Sequence, residues 1–192
     1  MTTPNTSSAA FFEAKYRSES DPWNFLRSPY ECARYDAILN ALRGRHYHRV
    51  FEPGCSIGVL TVRLADICDE IEATDFSATA IKKARKRCES LSNVRIRCCS
   101  LSEQEDFGRF DLVVLSEIGY YFCAPAWHKI SERCVATMNS GSTLLAAHWL
   151  GNSTDHQISG DEVHDILESN ANLLLERSER HELFRIDRWM RL

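Results

Sequence analysis

Short β-branched or apolar runs alternate with longer amphipathic stretches along most of this sequence, and this alternation constrains the fold more than any other feature. Periodicity predicts strands at residues 49–52, 71–75, 94–98, 110–116 and 142–148, and helices at residues 58–67, 77–90 and 126–138. Ser77 is a suitable N-cap for the second of these helices. Strands joined through helices of this length run parallel, with the helices packed on both faces of the sheet.

The last third of the chain departs from this rhythm. A polar stretch at residues 151–160 precedes a helix at residues 161–170 and two strands, at 173–180 and 183–191, joined by a short turn. Strands joined in this way pair antiparallel. We therefore predict an α/β fold, a three-layer α-β-α sandwich on a Rossmann-like, seven-stranded, mostly parallel sheet that ends in a C-terminal antiparallel strand pair.

A chain of 192 residues is expected to form a single domain around one core. Aromatic and charged residues mix ahead of the first strand, and Pro29 opens a helical pattern there, which predicts an N-terminal helical segment over residues 11–45. Residues 46–192 are predicted to form the Rossmann-like core. Residues 1–10 contain neither a basic nor an apolar segment, so we expect a disordered tail there and no targeting peptide.

Charge and cysteine content narrow the range of partners. The net charge of −4 has the wrong sign for a domain that grips a phosphate backbone, so no nucleic-acid partner is expected. No apolar run is long enough to span a membrane. The 8 cysteines form no C-x-x-C pair, which predicts reduced thiols in a cytoplasmic protein with no bound metal. A monomer and a homodimer both remain open.

A strand that ends in an acid and a glycine turn indicates a nucleotide-like ligand. Glu52 is followed by Gly54 and Gly58, with Ser56 between them. Glycine permits a sharp turn and close approach of the backbone to a ligand. The third glycine of a dinucleotide fingerprint is missing, which disfavours NAD. The next strand ends at Asp75, whose carboxylate can accept both ribose hydroxyls at the carboxyl edge of the sheet.

Further segments carry a family resemblance. They are Asp21-Pro22-Trp23 followed by Tyr30-Glu31, Gly54-Cys55 in the glycine turn, Phe110-Asp111-Leu112-Val113-Val114-Leu115-Ser116-Glu117-Ile118-Gly119-Tyr120-Tyr121, and Ala147-His148-Trp149. Together with the glycine turn and Asp75, they resemble the motifs of class I S-adenosylmethionine-dependent methyltransferases in the NodS-like branch, named for the nodulation protein S N-methyltransferase. The resemblance runs from about Asp21 to the C-terminus.

The resemblance implies S-adenosylmethionine (SAM) as cofactor and S-adenosylhomocysteine (SAH) as its product. The glycine turn would line the methionine and ribose side, Asp75 would take the ribose hydroxyls, and adenine would lie near Phe76. An acid that many members carry after the third strand is replaced here by Cys99-Ser100-Leu101, so Ser100 or the backbone would contact the adenine amine. The residues implied at the cofactor are Glu52, Gly54, Ser56, Gly58, Asp75, Phe76, Ser77, Ser100, Leu101 and Ser116.

The resemblance places Glu117 where the acceptor meets the cofactor. A carboxylate there can steady a cation or collect a proton, while capping of the next helix is the structural alternative. His148, at a strand end expected to face the cleft, is the second predicted catalytic residue, with His164 as an alternative base. The resemblance also implies that residues 11–45 fold over the cofactor as an N-terminal helical lid. The implied substrate or lid residues are Trp23, Tyr30, Tyr120 and Tyr121. Arg17 and Arg34 are candidate partners of the methionine carboxylate.

The resemblance implies transfer of a methyl group to a small-molecule acceptor, and the preference for an amine nitrogen rests on the resemblance alone. The resemblance extends this to an amino sugar or a chitooligosaccharide. A small-molecule O-methyltransferase and a non-catalytic accessory or binding domain with the same fold are the alternatives. The Asn/Asp-Pro-Pro-Tyr element of nucleic-acid amine methyltransferases is absent after the fourth strand, where the sequence reads Ser116-Glu117-Ile118-Gly119.

Overall fold

The computed structural model describes residues 9–102 and 108–192, and these form six α-helices and seven strands. In chain order they are α1 (Ala9–Ser18), α2 (Pro29–Ala41), β1 (Tyr47–Pro53), α3 (Val59–Ala65), β2 (Cys68–Asp75), α4 (Ala78–Arg87), β3 (Val94–Cys98), β4 (Leu112–Ser116), α5 (Ala124–Thr137), β5 (Thr143–Trp149), α6 (Gly160–Glu168), β6 (Leu173–Arg180) and β7 (Phe184–Arg191). A 3-10 turn, Gly119–Tyr121, follows β4. No helix among the described residues is long and apolar enough to cross a membrane.

The strands form one sheet in the order β3-β2-β1-β4-β5-β7-β6. Strands β1 to β5 run parallel, whereas β7 pairs antiparallel with both β5 and β6. This arrangement confirms the predicted fold class. The chain reverses its direction of travel across the sheet between β1 and β4, and such a switch point leaves a crevice at the carboxyl ends of the strands.

The central strands β4 and β5 are buried on both faces, as expected for parallel strands covered by helices. Val113 and Leu144 belong to a core that also contains residues of α5 and α6. Leu112 and Leu145, their chain neighbours, belong to a second core with residues of α2 and α3. Successive residues of a strand therefore enter opposite cores, which leaves the strand ends as the places where side chains can meet a ligand.

Two predicted boundaries change for identifiable reasons. The strand predicted at residues 110–116 begins at Leu112, because the Asp111 carboxylate accepts the backbone N–H groups of His48 and Arg49, each at 2.7 Å. These two amides at the start of β1 are therefore bonded by a side chain and not by the backbone of a further residue of β4. Ala9 and Ala10, predicted as part of a disordered tail, belong to α1, and the rest of that prediction, residues 1–8, lies outside the described residues.

Helix α1 is attached to α4 by two sets of polar contacts. The Glu13 carboxylate accepts the hydroxyls of Ser77 and Thr79 at the N-terminus of α4, each at 2.6 Å. These bonds lower the pKa of Glu13 to about 2. Lys83 Nζ donates to three carbonyl oxygens at and beyond the C-terminus of α1, the first being that of Tyr16 at 2.6 Å. Glu13 also accepts the Thr79 backbone N–H at 3.3 Å, so both sets of contacts satisfy backbone groups that helix ends leave unpaired.

Candidate functional site

A cavity of about 600 Å³ lies at the carboxyl ends of β1, β2, β3 and β4. This volume is within the range of roughly 300–1,000 Å³ that small-molecule sites occupy. Helices α1 and α2 close it on one side, through Phe12 and Tyr16 of α1 and Glu31 and Arg34 of α2. The position matches the switch-point crevice that the strand order creates.

The glycine turn after β1 forms one wall of the cavity. Gly54 has a φ of 74°, and a Cβ at this position would lie 2.3 Å from Ile118 Cγ2, so that only glycine fits there. Ser56 also adopts a left-handed conformation, with a φ of 51°. Its hydroxyl accepts a hydrogen bond from the Tyr16 hydroxyl at 2.7 Å. The turn therefore brings bare backbone to the cavity and is braced by α1.

Gly58 does not line the cavity, contrary to the prediction that it faces the cofactor. It precedes α3 with a φ of 79°, and a Cβ there would lie 3.1 Å from the Ala84 Cβ of α4. The missing side chain thus permits close packing of two helices. The glycine spacing alone could not separate this role from contact with a ligand.

Replacement of Gly58 by alanine is therefore expected to reduce stability rather than to block a ligand directly. The left-handed φ costs an alanine roughly 1–2 kcal/mol, and overpacking against Ala84 adds about 1–3 kcal/mol. Gly44→Ala is the matched control, because Gly44 has a φ of 86° and nothing within 4 Å of the added Cβ. Urea unfolding should show the larger loss for Gly58→Ala; equal losses would contradict the packing role.

Asp75, the last residue of β2, is buried and lines the cavity. Its Oδ2 accepts the backbone N–H of Ser56 at 3.0 Å, and its Oδ1 accepts the backbone N–H of Ser77 at 2.8 Å. Burial raises the pKa of Asp75 to about 6, against the effect of these two hydrogen bonds. A carboxylate held in this way keeps free lone pairs for hydroxyl groups of a ligand.

Glu52 is a second buried carboxyl group that lines the cavity. Its Oε2 accepts the Thr61 hydroxyl at 2.6 Å. Burial raises the pKa of Glu52 to about 8, so that this group is mostly protonated at neutral pH. Its neutral form reduces the repulsion between two acids at adjacent strand ends.

The end of the cavity next to β3 is lined by Phe76, Cys98, Ser100 and Leu101. Phe76 is exposed, and the Ser100 hydroxyl is hydrogen-bonded to that of Ser102 at 2.8 Å. Ser77, predicted at the cofactor, does not line the cavity. Its hydroxyl caps α4 and donates to Glu13 instead.

The opposite end of the cavity contains a buried chain of charges. Arg34 lies between Glu31, to which its Nη2 donates, and Glu117, whose Oε1 is 3.7 Å from Arg34 Nε. Its Nη1 donates to the Ser116 hydroxyl. Two carboxylates against one guanidinium make this end negative. Arg17, the other candidate for the methionine carboxylate, pairs with Glu13 and lies outside the cavity with 73% of its side chain exposed.

Glu117 has an uncommon backbone conformation, and two hydrogen bonds hold its side chain in place. Its φ of 57° is left-handed, its Oε1 accepts the Trp149 backbone N–H at 2.8 Å, and its Oε2 accepts the Tyr120 hydroxyl. Burial raises the pKa of Glu117, against the charge of Arg34. The carboxylate does not cap the following turn. An uncommon backbone conformation held by surrounding contacts is typical of a functional site.

The predicted aromatic residues separate into two groups. Trp23, Tyr120 and Tyr121 line the cavity. Tyr30 does not; its ring packs edge-on against Phe184 of β7, with centroids 5.9 Å apart. The sequence prediction missed Phe12, which stacks on Trp23 at 5.9 Å and meets Tyr121 edge-on at 4.9 Å.

His148 does not reach the cavity, contrary to the prediction that it faces the cleft. It is completely buried, and its ring accepts the Gly119 backbone N–H at 3.1 Å. His164, the alternative base, is buried behind it and is hydrogen-bonded to it at 3.1 Å. Neither imidazole is placed to take a proton from a ligand in the cavity. The described residues also contain no cluster of three or more His, Cys, Asp or Glu that could hold a metal ion.

Sequence comparisons relate this chain to nodulation protein S. The family model for nodulation protein S (NodS) matches residues 11–148. Nodulation protein S of Bradyrhizobium diazoefficiens is 30% identical over 102 residues, covering 53% of this chain and 49% of the relative. The protein of the same name from Azorhizobium caulinodans matches with the same identity and coverage. The chain aligns with about half the length of the curated relatives it matches.

Structural comparisons show the same fold in known proteins. The N-methyltransferase NodS of Bradyrhizobium japonicum WM9, in complex with SAH, superposes with a TM-score of 0.83 at 21% identity, covering 94% of this chain and 97% of that one. A protein from Pseudomonas syringae assigned as a methyltransferase superposes with a TM-score of 0.73 at 30% identity, covering 84% of this chain and 99% of that one. On the family model and these likenesses, the chain belongs to the nodulation protein S (NodS) family.

Proposed function

We propose that this chain is a SAM-dependent methyltransferase that methylates the nitrogen of a small-molecule amine. The observation that carries the proposal is the buried Asp75 carboxylate, fixed by two backbone amides beside the Gly54 turn at the switch point of the sheet. Membership of the NodS family supports it, since a structural relative of this chain is an N-methyltransferase with SAH bound.

The lining of the cavity fits this cofactor. Asp75 would accept the two ribose hydroxyls, the bare backbone at Gly54 would allow the methionine portion to pass, and Phe76 would lie against adenine. No lysine or third glycine is available in the turn for a pyrophosphate. When bound, SAM supplies a methyl group already activated by its sulfonium, so the protein has mainly to align and to desolvate.

The charged end of the cavity would receive the acceptor. Glu31, Arg34 and Glu117 together leave one unbalanced negative charge there, which favours a cationic amine over a neutral alcohol. An ammonium group has no lone pair until it loses its proton. Glu117 lines the cavity and has a raised pKa, so its carboxylate would accept that proton, directly or through water.

Aromatic side chains would keep water away from the reaction. Phe12 and Tyr16 of α1, with Trp23 and Tyr121, form a cluster on the side of the cavity that α1 closes. The contacts of Glu13 with α4 and of Lys83 of α4 with the end of α1 hold this cluster in place. We propose that residues 11–45 act as the lid of a single methyltransferase domain, and that the enzyme works in the cytoplasm as a monomer or homodimer on free small molecules, without nucleic acid or membrane.

Calorimetric titration of the purified protein with SAH, with NAD as the control, tests the proposal. We expect micromolar binding of SAH and no heat from NAD. Transfer of a labelled methyl group from SAM to amines, amino sugars and hydroxylated compounds then identifies the acceptor. Binding of neither ligand would refute the proposal and favour a non-catalytic accessory domain, while transfer to hydroxyls alone would refute the amine assignment.

The pH dependence of SAH binding follows from Asp75. Its pKa is raised to about 6 in the free protein, and only the ionised carboxylate accepts both hydroxyls, so affinity should fall as the pH drops through 6. Binding at pH 5 should be roughly tenfold weaker than at pH 7. Glu13, with a pKa of about 2, and Glu52, with a pKa of about 8, do not titrate in this interval. Glu117→Gln should keep the dependence, and a flat profile would contradict the role of Asp75.

A further inference from the structure

A chain of buried hydrogen bonds connects β7 to the turn after β4. Asp187 Oδ2 lies 2.8 Å from His164 Nδ1, His164 Nε2 lies 3.1 Å from His148 Nδ1, and His148 Nε2 lies 3.1 Å from the Gly119 backbone nitrogen. Asp187, His164 and His148 are completely buried. They come from β7, α6 and β5, so three separate elements converge on one backbone amide.

The chemistry of the groups sets the direction of every bond. The Gly119 N–H can only donate, so His148 Nε2 carries no proton and His148 Nδ1 must carry one. His148 then donates to His164 Nε2, and His164 donates from Nδ1 to Asp187. Burial keeps both imidazoles neutral by lowering their pKa values. All three bonds point from Gly119 toward the Asp187 carboxylate, which also receives Arg185 Nε at 2.7 Å.

The chain cannot carry protons to the cavity, because it ends on a backbone amide that does not ionise at neutral pH. What it reaches is the segment that holds the acceptor end. Gly119 follows Glu117 by two residues and precedes Tyr120, whose hydroxyl donates to Glu117 Oε2. Trp149, next to His148, donates its backbone N–H to Glu117 Oε1. The Ala147 carbonyl of β5 accepts the Glu117 backbone N–H at 3.0 Å as well, so β5 holds this segment at three points, through one ring, one amide and one carbonyl.

Close packing against α6 restricts the position of the Gly119 turn. A Cβ on Gly119 would lie 2.4 Å from Val163 Cγ1, so α6 is pressed directly against the turn. The Trp127 indole N–H donates to the Val163 carbonyl at 3.1 Å and fixes α6 next to His164. A small displacement of α6 or β5 would therefore move the Gly119 amide and, with it, Tyr120.

We propose that His148, His164 and Asp187 are positioning residues whose one-way chain of hydrogen bonds fixes the Gly119 turn and thereby sets the Glu117 carboxylate and Tyr120 hydroxyl at the acceptor end. The assignment of this end to the acceptor rests on the proposed function. The chain itself does not, because its geometry is independent of any ligand. Hydrogen bonds in such a buried series polarise one another, so a change at Asp187 alters the strength of the hydrogen bond from the Gly119 amide.

Nuclear magnetic resonance of the ¹⁵N-labelled protein tests the chain without any ligand. Long-range ¹H–¹⁵N spectra should show both His148 and His164 protonated on Nδ1. Asp187→Asn should move the Gly119 amide resonance, while Asp165→Asn should not. Asp165 is the matched control, because it is an exposed acid on α6 that contacts the same Arg185 but lies outside the chain. Protonation on Nε2 of either ring, or equal shifts in the two variants, would overturn the proposal.

Kinetics test the positioning role itself, with the amine that the wild-type protein methylates. His148→Leu removes the acceptor for Gly119, whereas the side-chain oxygen of His148→Gln can replace Nε2. Misplacement of a reacting group by about 1 Å costs roughly 100-fold, so the leucine variant should lose at least about tenfold in kcat/KM for the amine, and the glutamine variant should retain most of it. SAH affinity should be unchanged in both.

Equal losses in both variants, or a loss of SAH affinity in step with kcat/KM, would indicate a merely structural role. Failure of the wild-type protein to bind SAH would refute the proposed function and leave the resonance test intact.

Discussion

Asp75→Asn is expected to abolish measurable binding of SAH while the protein remains folded. The carboxylate has two backbone donors, Ser56 N–H and Ser77 N–H, one on each oxygen. An asparagine has one acceptor oxygen, so one of these amides must face the new NH₂ group, and neither amide can reverse its role. The variant loses the charge-assisted bonds to the ribose and also disturbs the turn that carries Ser56.

The expected loss is large because each hydrogen bond to a charged group contributes about 1.5–3 kcal/mol. Two ribose hydroxyls lost together correspond to at least roughly a 100-fold decrease in affinity. Asp69→Asn is the matched control, since Asp69 is an exposed acid near the start of β2, far from the cavity, and pairs with His46 and His48. Calorimetry of both variants, with circular dichroism to verify folding, gives the comparison; SAH affinity within a few-fold of wild type in Asp75→Asn would show that the ribose is held elsewhere.

The parts of the cavity that could be predicted from sequence are those fixed by topology. In a parallel sheet the carboxyl ends of all strands reach one edge, so Glu52, Asp75 and Ser116 had to lie near one another once the strands were recognised. Gly54 was equally predictable, because the turn after β1 requires a residue without Cβ at close approach.

The direction in which a side chain points at an element end was much harder to predict. His148 lies on the strand face of Leu144 and Ala146, which packs on α5 and α6, and not on the cavity side. On α2, Tyr30 faces β7 while its neighbour Glu31 faces the cavity. The sequence shows which residues share a face of β5 or of α2. Which element packs against each face follows only from the three-dimensional arrangement.

Residues with two plausible local roles formed the other source of error. Ser77 is a good N-cap and also lies two residues after Asp75, which suggested a contact with the cofactor. In the structure it caps α4 and does not line the cavity. Gly58 completes the glycine motif, which suggested contact with a ligand. In the structure it packs against α4 instead. Glu13 and Phe12 gave no signal because α1 has a weakly amphipathic pattern, and their function depends on docking against α4 and Trp23.

Glu117→Gln is expected to behave in the opposite way to Asp75→Asn, although both replace a carboxylate by its isosteric amide. The glutamine oxygen can accept the Trp149 backbone N–H, and the new NH₂ can donate to Tyr120, whose hydroxyl is able to accept as well as donate. The site therefore keeps its shape. SAH is uncharged at sulfur and should bind with unchanged affinity.

Turnover should nevertheless fall by roughly 100-fold or more, the usual scale for removing a general base. The glutamine can neither accept the proton of an ammonium group nor contribute its negative charge beside Arg34. Initial rates of labelled methyl transfer to the amine acceptor at saturating SAM measure this, with Glu70→Gln on the exposed face of β2 as the control. If the Glu117→Gln variant turned over as fast as wild type, the carboxylate would serve only to orient Tyr120, and the acceptor would have to lose its proton to solvent before binding.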